Sequence, residues 1–482
     1  MKKFKKALAL SMTLAMGLSM VACGGDSKDT STSGDTSAPA TEATTGAATE
    51  ATTGADTGAT EAPSGDVITS IDGKVTLDMT GWDASKKIYG YSWDDDFGKK
   101  LDVVFENQPA LKDYFEYINL GVPSEESLTA IDAAFTSDKY PSLIPSDVGS
   151  SKYWINDDTK TLDLKGIGFT DDMLADSYQF AKDFSDYNGQ LKAVTWQTTA
   201  GSVFYNRKIA NEVFGTDDPA QIQEKIKDWD SFFAAAEELK AKGYKIVSSP
   251  QEVYYAITNT RTDSWVSADG STFTPDATIT QYIEVAKKLA DGDYTNMVNM
   301  WDGSWFSNMA GEGGNVFCYF ACPWMIGQFT GNGAGDGTWG TVVGPTSYYW
   351  GGTYVCVGKD TPNPELCKFI LYELTCDADI MVQITNKTGD AVNNKAANAK
   401  LATDGVPADN AGFKLFNQNP YETWAAAAEG INTKAVSAYD KPYEAIIKAA
   451  ADGYITGTYS SVDEALDYIK NESAALGIPA AE

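Results

Sequence analysis

Histidine is absent from all 482 residues. The usual general base, the commonest metal ligand and every histidine-dependent triad are thereby excluded. Basic residues are few as well: 37 Lys and Arg stand against 67 Asp and Glu, a net charge of −30. Nucleic acid and anionic lipid surfaces need a basic face, so neither is an expected partner. No apolar run reaches the ~20 residues of a membrane-spanning helix. The nearest, Ala7 to Met20, is short and follows Lys2, Lys3, Lys5 and Lys6, the pattern of a signal segment. Cysteine is sparse. Beyond Cys23 only Cys318, Cys322, Cys356, Cys367 and Cys376 remain, an odd set that cannot close a full disulfide framework. They lie in apolar runs and read as buried small hydrophobes. No cofactor motif is present. Asp291 to Asn296 has the outline of a calcium loop, but Asn296 stands where such a loop needs Gly.

What is present is ample for a core: 43% hydrophobic and 12% aromatic residues. Without the N-terminal segment, roughly 400 residues remain, enough for two or more domains. Met20-Val21-Ala22-Cys23-Gly24 resembles a bacterial lipobox, with Met20 where Leu is usual. That resemblance implies a signal peptide over 1–22 and a lipidated Cys23, anchored at the extracytoplasmic face of the cell membrane. Gly24 to Gly65 is Thr, Ala, Gly, Ser and Glu with internal repeats. It has too little apolar surface to offset its ordering entropy, so 23–75 is expected to be a disordered tether. A tether this long suits a bacterium with one membrane and a cell wall.

The body alternates short strands with helices. Lys87–Trp93, Pro141–Asp147, Gly189–Gln197 and Val203–Asn206 read as strands; Glu125–Phe135 and Trp229–Gly243 read as helices, the latter capped by Asp230. The alternation predicts an α/β fold with mainly parallel sheets. The chain is organised around Ser347-Tyr348-Tyr349-Trp350-Gly351-Gly352-Thr353. Aromatics offer flat faces with polar tips, and glycines let a ligand approach the backbone. The same residues would serve equally as core.

Several motifs, in order, resemble the extracellular solute-binding proteins of carbohydrate ABC importers, including the maltodextrin binders. They are Val203-Phe204-Tyr205-Asn206-Arg207-Lys208, Asp228-Trp229-Asp230-Ser231-Phe232, Cys322-Pro323-Trp324, Gly344-Pro345 and Tyr349-Trp350-Gly351-Gly352, with the Thr456–Leu466 tail. The resemblance implies a two-lobe, Venus-flytrap fold with crossing hinge strands. It places an N-terminal lobe at 76–198 and 346–376 and a C-terminal lobe at 199–345 and 377–482. It further implies an oligosaccharide ligand, ABC permease subunits as partners, a monomer, and no catalysis. The competing readings are a glycan-capture lipoprotein without a transporter and a glycoside-active enzyme.

Candidate ligand contacts follow. Trp93, Asp94, Asp95 and Asp147 sit at strand ends, where open α/β sheets bind ligands; each Asp could instead cap a turn. Trp196 and Gln197 end the strand at the first lobe crossing. Glu252 and Tyr254 resemble the sugar-contacting pair of maltodextrin binders. Trp301 and Trp305 would share a helix face, and Trp324 follows Pro323 as a stacking platform. Tyr349, Trp350, Gly351 and Gly352 complete the set. Trp350 is expected to stack on a sugar ring and to be partly solvated without ligand, so its truncation would leave the apo protein's melting little changed.

Overall fold

The computed structural model describes residues 67–69, 76–78 and 86–481. Cys23, the signal segment and most of the tether lie outside the described residues. In chain order the strands are β1 (Val67–Thr69), β2 (Thr76–Asp78), β3 (Ile88–Ser92), β4 (Phe115–Asn119), β5 (Pro141–Asp147), β6 (Asp186–Tyr187), β7 (Gln190–Leu191), β8 (Ala193–Val194), β9 (Ser202–Asn206), β10 (Cys318–Ala321), β11 (Trp339–Val342) and β12 (Thr353–Val357). No helix among the described residues is long and apolar enough to cross a membrane.

The first lobe is built on a five-stranded sheet of order β4-β3-β5-β12-β8. β3 runs parallel to β4 and β5, and β12 runs antiparallel to β5 and β8. β5 is buried at every position but its last and β12 at all five, because both their faces are covered. Leu143, Val355 and Val357 join the main core, while Ile144, Tyr354 and Cys356 join a second core with Ile131, Trp154 and Phe184. The helix Asp96–Asn107 presents Phe97, Leu101 and Val104 to the main core.

The second lobe departs from the parallel expectation. Its sheet, β10-β9-β11, is antiparallel throughout. Parallel pairing here is confined to isolated bridges, Lys245 with Val316, Val247 with Thr295 and Phe273 with Ala480. β9 lies at its centre and is buried at all five positions. The helix Trp229–Lys240 is capped by Asp228 rather than Asp230, because Asp228 and Ser231 form a reciprocal capping box.

Three segments cross between the lobes and bond to one another. Gly201 N donates to Tyr348 O at 2.6 Å, Trp350 N to Thr199 O at 3.0 Å, and Thr198 N to Ala391 O at 2.9 Å. Side chains reinforce the ladder: Thr353 N donates to Gln197 Oε1 at 3.0 Å and Thr199 Oγ1 to Gly351 O at 2.8 Å. Gly201 has no alternative, since a Cβ there would lie 2.2 Å from the Tyr348 ring. The third crossing comes at 389–393, whereas the motifs place the final return at 377. The helix Ala378–Thr388 still packs on Asp96–Asn107.

None of the five described cysteines is in a disulfide, and all are buried. Burial pushes the Cys356 and Cys367 thiols up to about 12, which leaves them inert at neutral pH.

Candidate functional site

A cleft of about 670 Å³ opens between the lobes, with the hinge ladder along its base. β3 and β5 are parallel neighbours, so Trp93 with Asp94 after one and Asp147 at the end of the other emerge on the same edge. Asp94 accepts from Asp96 N at 3.0 Å. Asp147 accepts from Gly149 N at 2.9 Å and caps the helix Val148–Ile155. Capping therefore occupies one oxygen and leaves the residue in the cleft wall. Burial raises both carboxyls. It lifts Asp147 to about 6, against the Gly149 bond and the Lys441 charge and with help from Glu125 and Glu444.

Opposite stands an aromatic wall. The indoles of Trp301 and Trp324 are nearly parallel, 6.2 Å between centroids and 7° apart. Trp350 meets both nearly edge-on, at 5.8 and 5.6 Å, and Tyr255 packs on Trp350 at 5.2 Å. Trp324 Nε1 donates to Trp350 O at 2.9 Å. Gly351 and Gly352 have φ of +71° and +118°, which other residues rarely adopt. A Cβ on Gly351 would stand 3.3 Å from Trp324 Nε1 and 3.8 Å from Asp147 Oδ2. The missing side chain thus keeps indole and carboxylate facing one space.

Trp350 is only 5% exposed, not partly solvated as the sequence suggested, because three aromatic neighbours close on it. Tyr349 lines the cleft too and is equally enclosed. Trp301 is 48% exposed at φ +72°. It precedes the short helix Gly303–Ser307, so it shares no helix face with Trp305, which is fully buried.

Three expected contacts lie elsewhere. Asp95 points to solvent and pairs with Lys99. Trp196 is fully buried, stacked on Phe97 at 5.6 Å, with Nε1 donating to Asp390. Glu252 is buried behind the wall and closes a capping box with Ser249. Its Oε1 accepts from Ser248 N, Ser249 N and Trp305 Nε1 at 3.1, 2.8 and 3.0 Å. Tyr254, its expected companion, does line the cleft. Gln197 lines it with both amide ends engaged, one on Thr353 N and the other on Asp390 at 2.9 Å. Its part in the cleft is to hold the hinge.

The cleft also holds charged residues that sequence reasoning missed. On the helix Asp440–Ile455, Lys441, Glu444 and Lys448 stand three and four residues apart on one face; that spacing was the available signal. Tyr255 Oη donates to Glu444 Oε1 at 2.8 Å. Burial alone would raise the Glu444 carboxyl, but Lys441, Lys448 and the Tyr255 bond overcome it and hold it at about 2. Arg261 pairs with Asp440 under the second lobe's wall, and Lys100 bridges Asp96 and Asp390 at the hinge.

Solved structures share this architecture. One is an extracellular solute-binding protein of family 1, with 16% identity, TM-score 0.70, and 81% of this chain and 99% of that one covered. Another is the galacto-N-biose/lacto-N-biose I-binding protein of an ABC transporter from Bifidobacterium longum, solved with lacto-N-biose: 15% identity, TM-score 0.61, coverage 82% and 98%. A third is the cyclic α-maltosyl-1,6-maltose binding protein from Arthrobacter globiformis: 17% identity, TM-score 0.62, coverage 81% and 98%. At such identities the likeness establishes the two-lobe fold alone. No curated protein matches the sequence. The family model for bacterial extracellular solute-binding proteins matches residues 112–414, well over half the chain. The chain belongs to the bacterial extracellular solute-binding proteins.

Proposed function

We propose that the protein captures an oligosaccharide in the cleft and delivers it to the permease of an ABC importer, without chemical turnover. The carrying observation is the facing of an indole wall, Trp301, Trp324 and Trp350, by the carboxylates of Asp94 and Asp147. A pyranose has an apolar C–H face and an equatorial rim of hydroxyls; the wall suits the first and the carboxylates the second. Hydrogen bonds to charged acceptors contribute ~1.5–3 kcal/mol each. A few of them with stacking reach ~−8 kcal/mol, which is micromolar affinity. The solved relatives named for lacto-N-biose and a cyclic maltosyl-maltose support the same class of ligand.

The test is a thermal-shift panel of mono- and oligosaccharides, since a ligand of the native state raises the midpoint by mass action. A panel without any shift sinks the reading. New reducing ends after incubation would instead point to a glycosidase. A sugar that binds is expected to lower the radius of gyration in small-angle scattering, because the lobes close on it about the hinge ladder. Tight binding without compaction would count against a clamp.

The anchor belongs to the same proposal. Cys23 carries the lipid, and 23–75 tethers a monomeric binder to the outer face of a single membrane. Cys23→Ser is expected to move the protein from the membrane fraction to the medium; retention on the membrane would refute lipidation at that thiol.

A further inference from the structure

The cations that line the cleft are already engaged. Lys99 pairs with Asp95 at 3.0 Å, Lys100 with Asp390 at 3.3 Å and with Asp96 at 2.5 Å, Lys441 with Glu444 at 3.4 Å, and Arg261 with Asp440. Four of the six lining carboxylates are covered by these pairs. Asp94 and Asp147 are not: among the described residues, neither has a cation within 4.0 Å. Each has one oxygen on a backbone N–H, of Asp96 and Gly149 respectively. The other oxygen of Asp147 faces the space beside Gly351 and the Trp324 indole. The lining therefore carries six carboxylates against four cations, with the Lys441 charge acting on Asp147 only from beyond ion-pair distance and no lining cation without a carboxylate of its own.

This balance discriminates among glycans. An anionic sugar would find two carboxylates and no free cation. A neutral sugar would satisfy the hydrogen bonds and leave the charge. An ammonium would satisfy both, through a charge-assisted bond to the carboxylate. The chain's charge of −30 favours approach of the same ligand.

We propose that the cleft is specific for an oligosaccharide carrying a free protonated amine, a de-N-acetylated hexosamine oligomer, with the ammonium between the Asp147 carboxylate and the Trp324–Trp350 wall. This deepens the oligosaccharide reading and rests on it. Titration calorimetry on the full chain tests it with four ligand sets of matched β-1,4 linkage and length: glucosamine, N-acetylglucosamine, glucose and glucuronic acid oligomers. Glucosamine oligomers are expected to bind at least ~10-fold tighter than the neutral sets, with the advantage shrinking as salt rises. Asp147→Asn keeps a capping side chain and should erase most of that advantage, weakening the glucosamine oligomers by more than it weakens the glucose oligomers. Equal or tighter binding of a neutral or anionic set overturns the proposal and leaves the sugar reading standing. So does an Asp147→Asn variant that keeps its preference for the amine. If none of the four sets binds, the amine proposal falls, and the wider panel above decides whether the sugar reading falls with it.

Discussion

Trp350→Ala is expected to destabilise the unliganded protein by about 3–5 kcal/mol, the usual consequence of emptying a large buried aromatic. The ring is 5% exposed and packs on Tyr255, Trp301 and Trp324. Its removal also strips one face from the binding wall, so affinity for a bound sugar should fall by at least ~1 kcal/mol. Urea unfolding of the apo variant reads the first effect, and calorimetry on the fraction that remains folded reads the second. Trp350→Phe, which keeps most of the packing, should recover much of the stability. An apo midpoint unchanged in Trp350→Ala would mean that the wall is looser than its ring distances imply.

The second large effect is a pH dependence set by Glu252. Burial raises its carboxyl to about 8, although the Ser249 and Ser248 amides and Trp305 Nε1 all oppose the rise. The native state then holds a proton that the unfolded chain releases near 4.5. Stability from that proton is complete below about 4.5 and is lost as pH climbs through about 8. Glu252→Gln keeps the Oε1 acceptor and cannot titrate. Oε2 has no hydrogen-bond partner, so a carboxylic O–H and an amide N–H are left equally unanswered there. The variant's advantage over the native chain should therefore grow between pH 5 and 9, by an amount on the order of 2–4 kcal/mol. Chemical denaturation of both proteins across that range measures it; parallel curves would show that Glu252 does not titrate there.

The two-lobe plan was legible because ordered motifs carried it, and the cleft's edges because strand ends gather ligand groups. Local pattern failed where the deciding partner is distant in sequence. Trp350 is buried by Tyr255, Trp301 and Trp324, none of which its own neighbourhood reveals. The second sheet is antiparallel because β10 and β11 both choose β9, a pairing that strand alternation does not specify. Among three consecutive aspartates, helix geometry from Asp96 onward sends Asp95 to solvent and leaves Asp94 in the cleft. Glu252 is different: Ser249-Pro250-Gln251-Glu252 spells a capping box, a local signal that the reading of Glu252 as a sugar contact passed over.

Trp350 belongs to the axle as well as to the wall. Its amide is a rung of the ladder to Thr199, its carbonyl takes the Trp324 bond, and its ring meets the cleft. Under the proposed clamp, a ligand that loads the ring loads a residue of the hinge ladder directly. Grip strength and closing angle then share one backbone. A drift in specificity at this residue would retune how far the jaws shut, and a change in the pivot would alter what they hold.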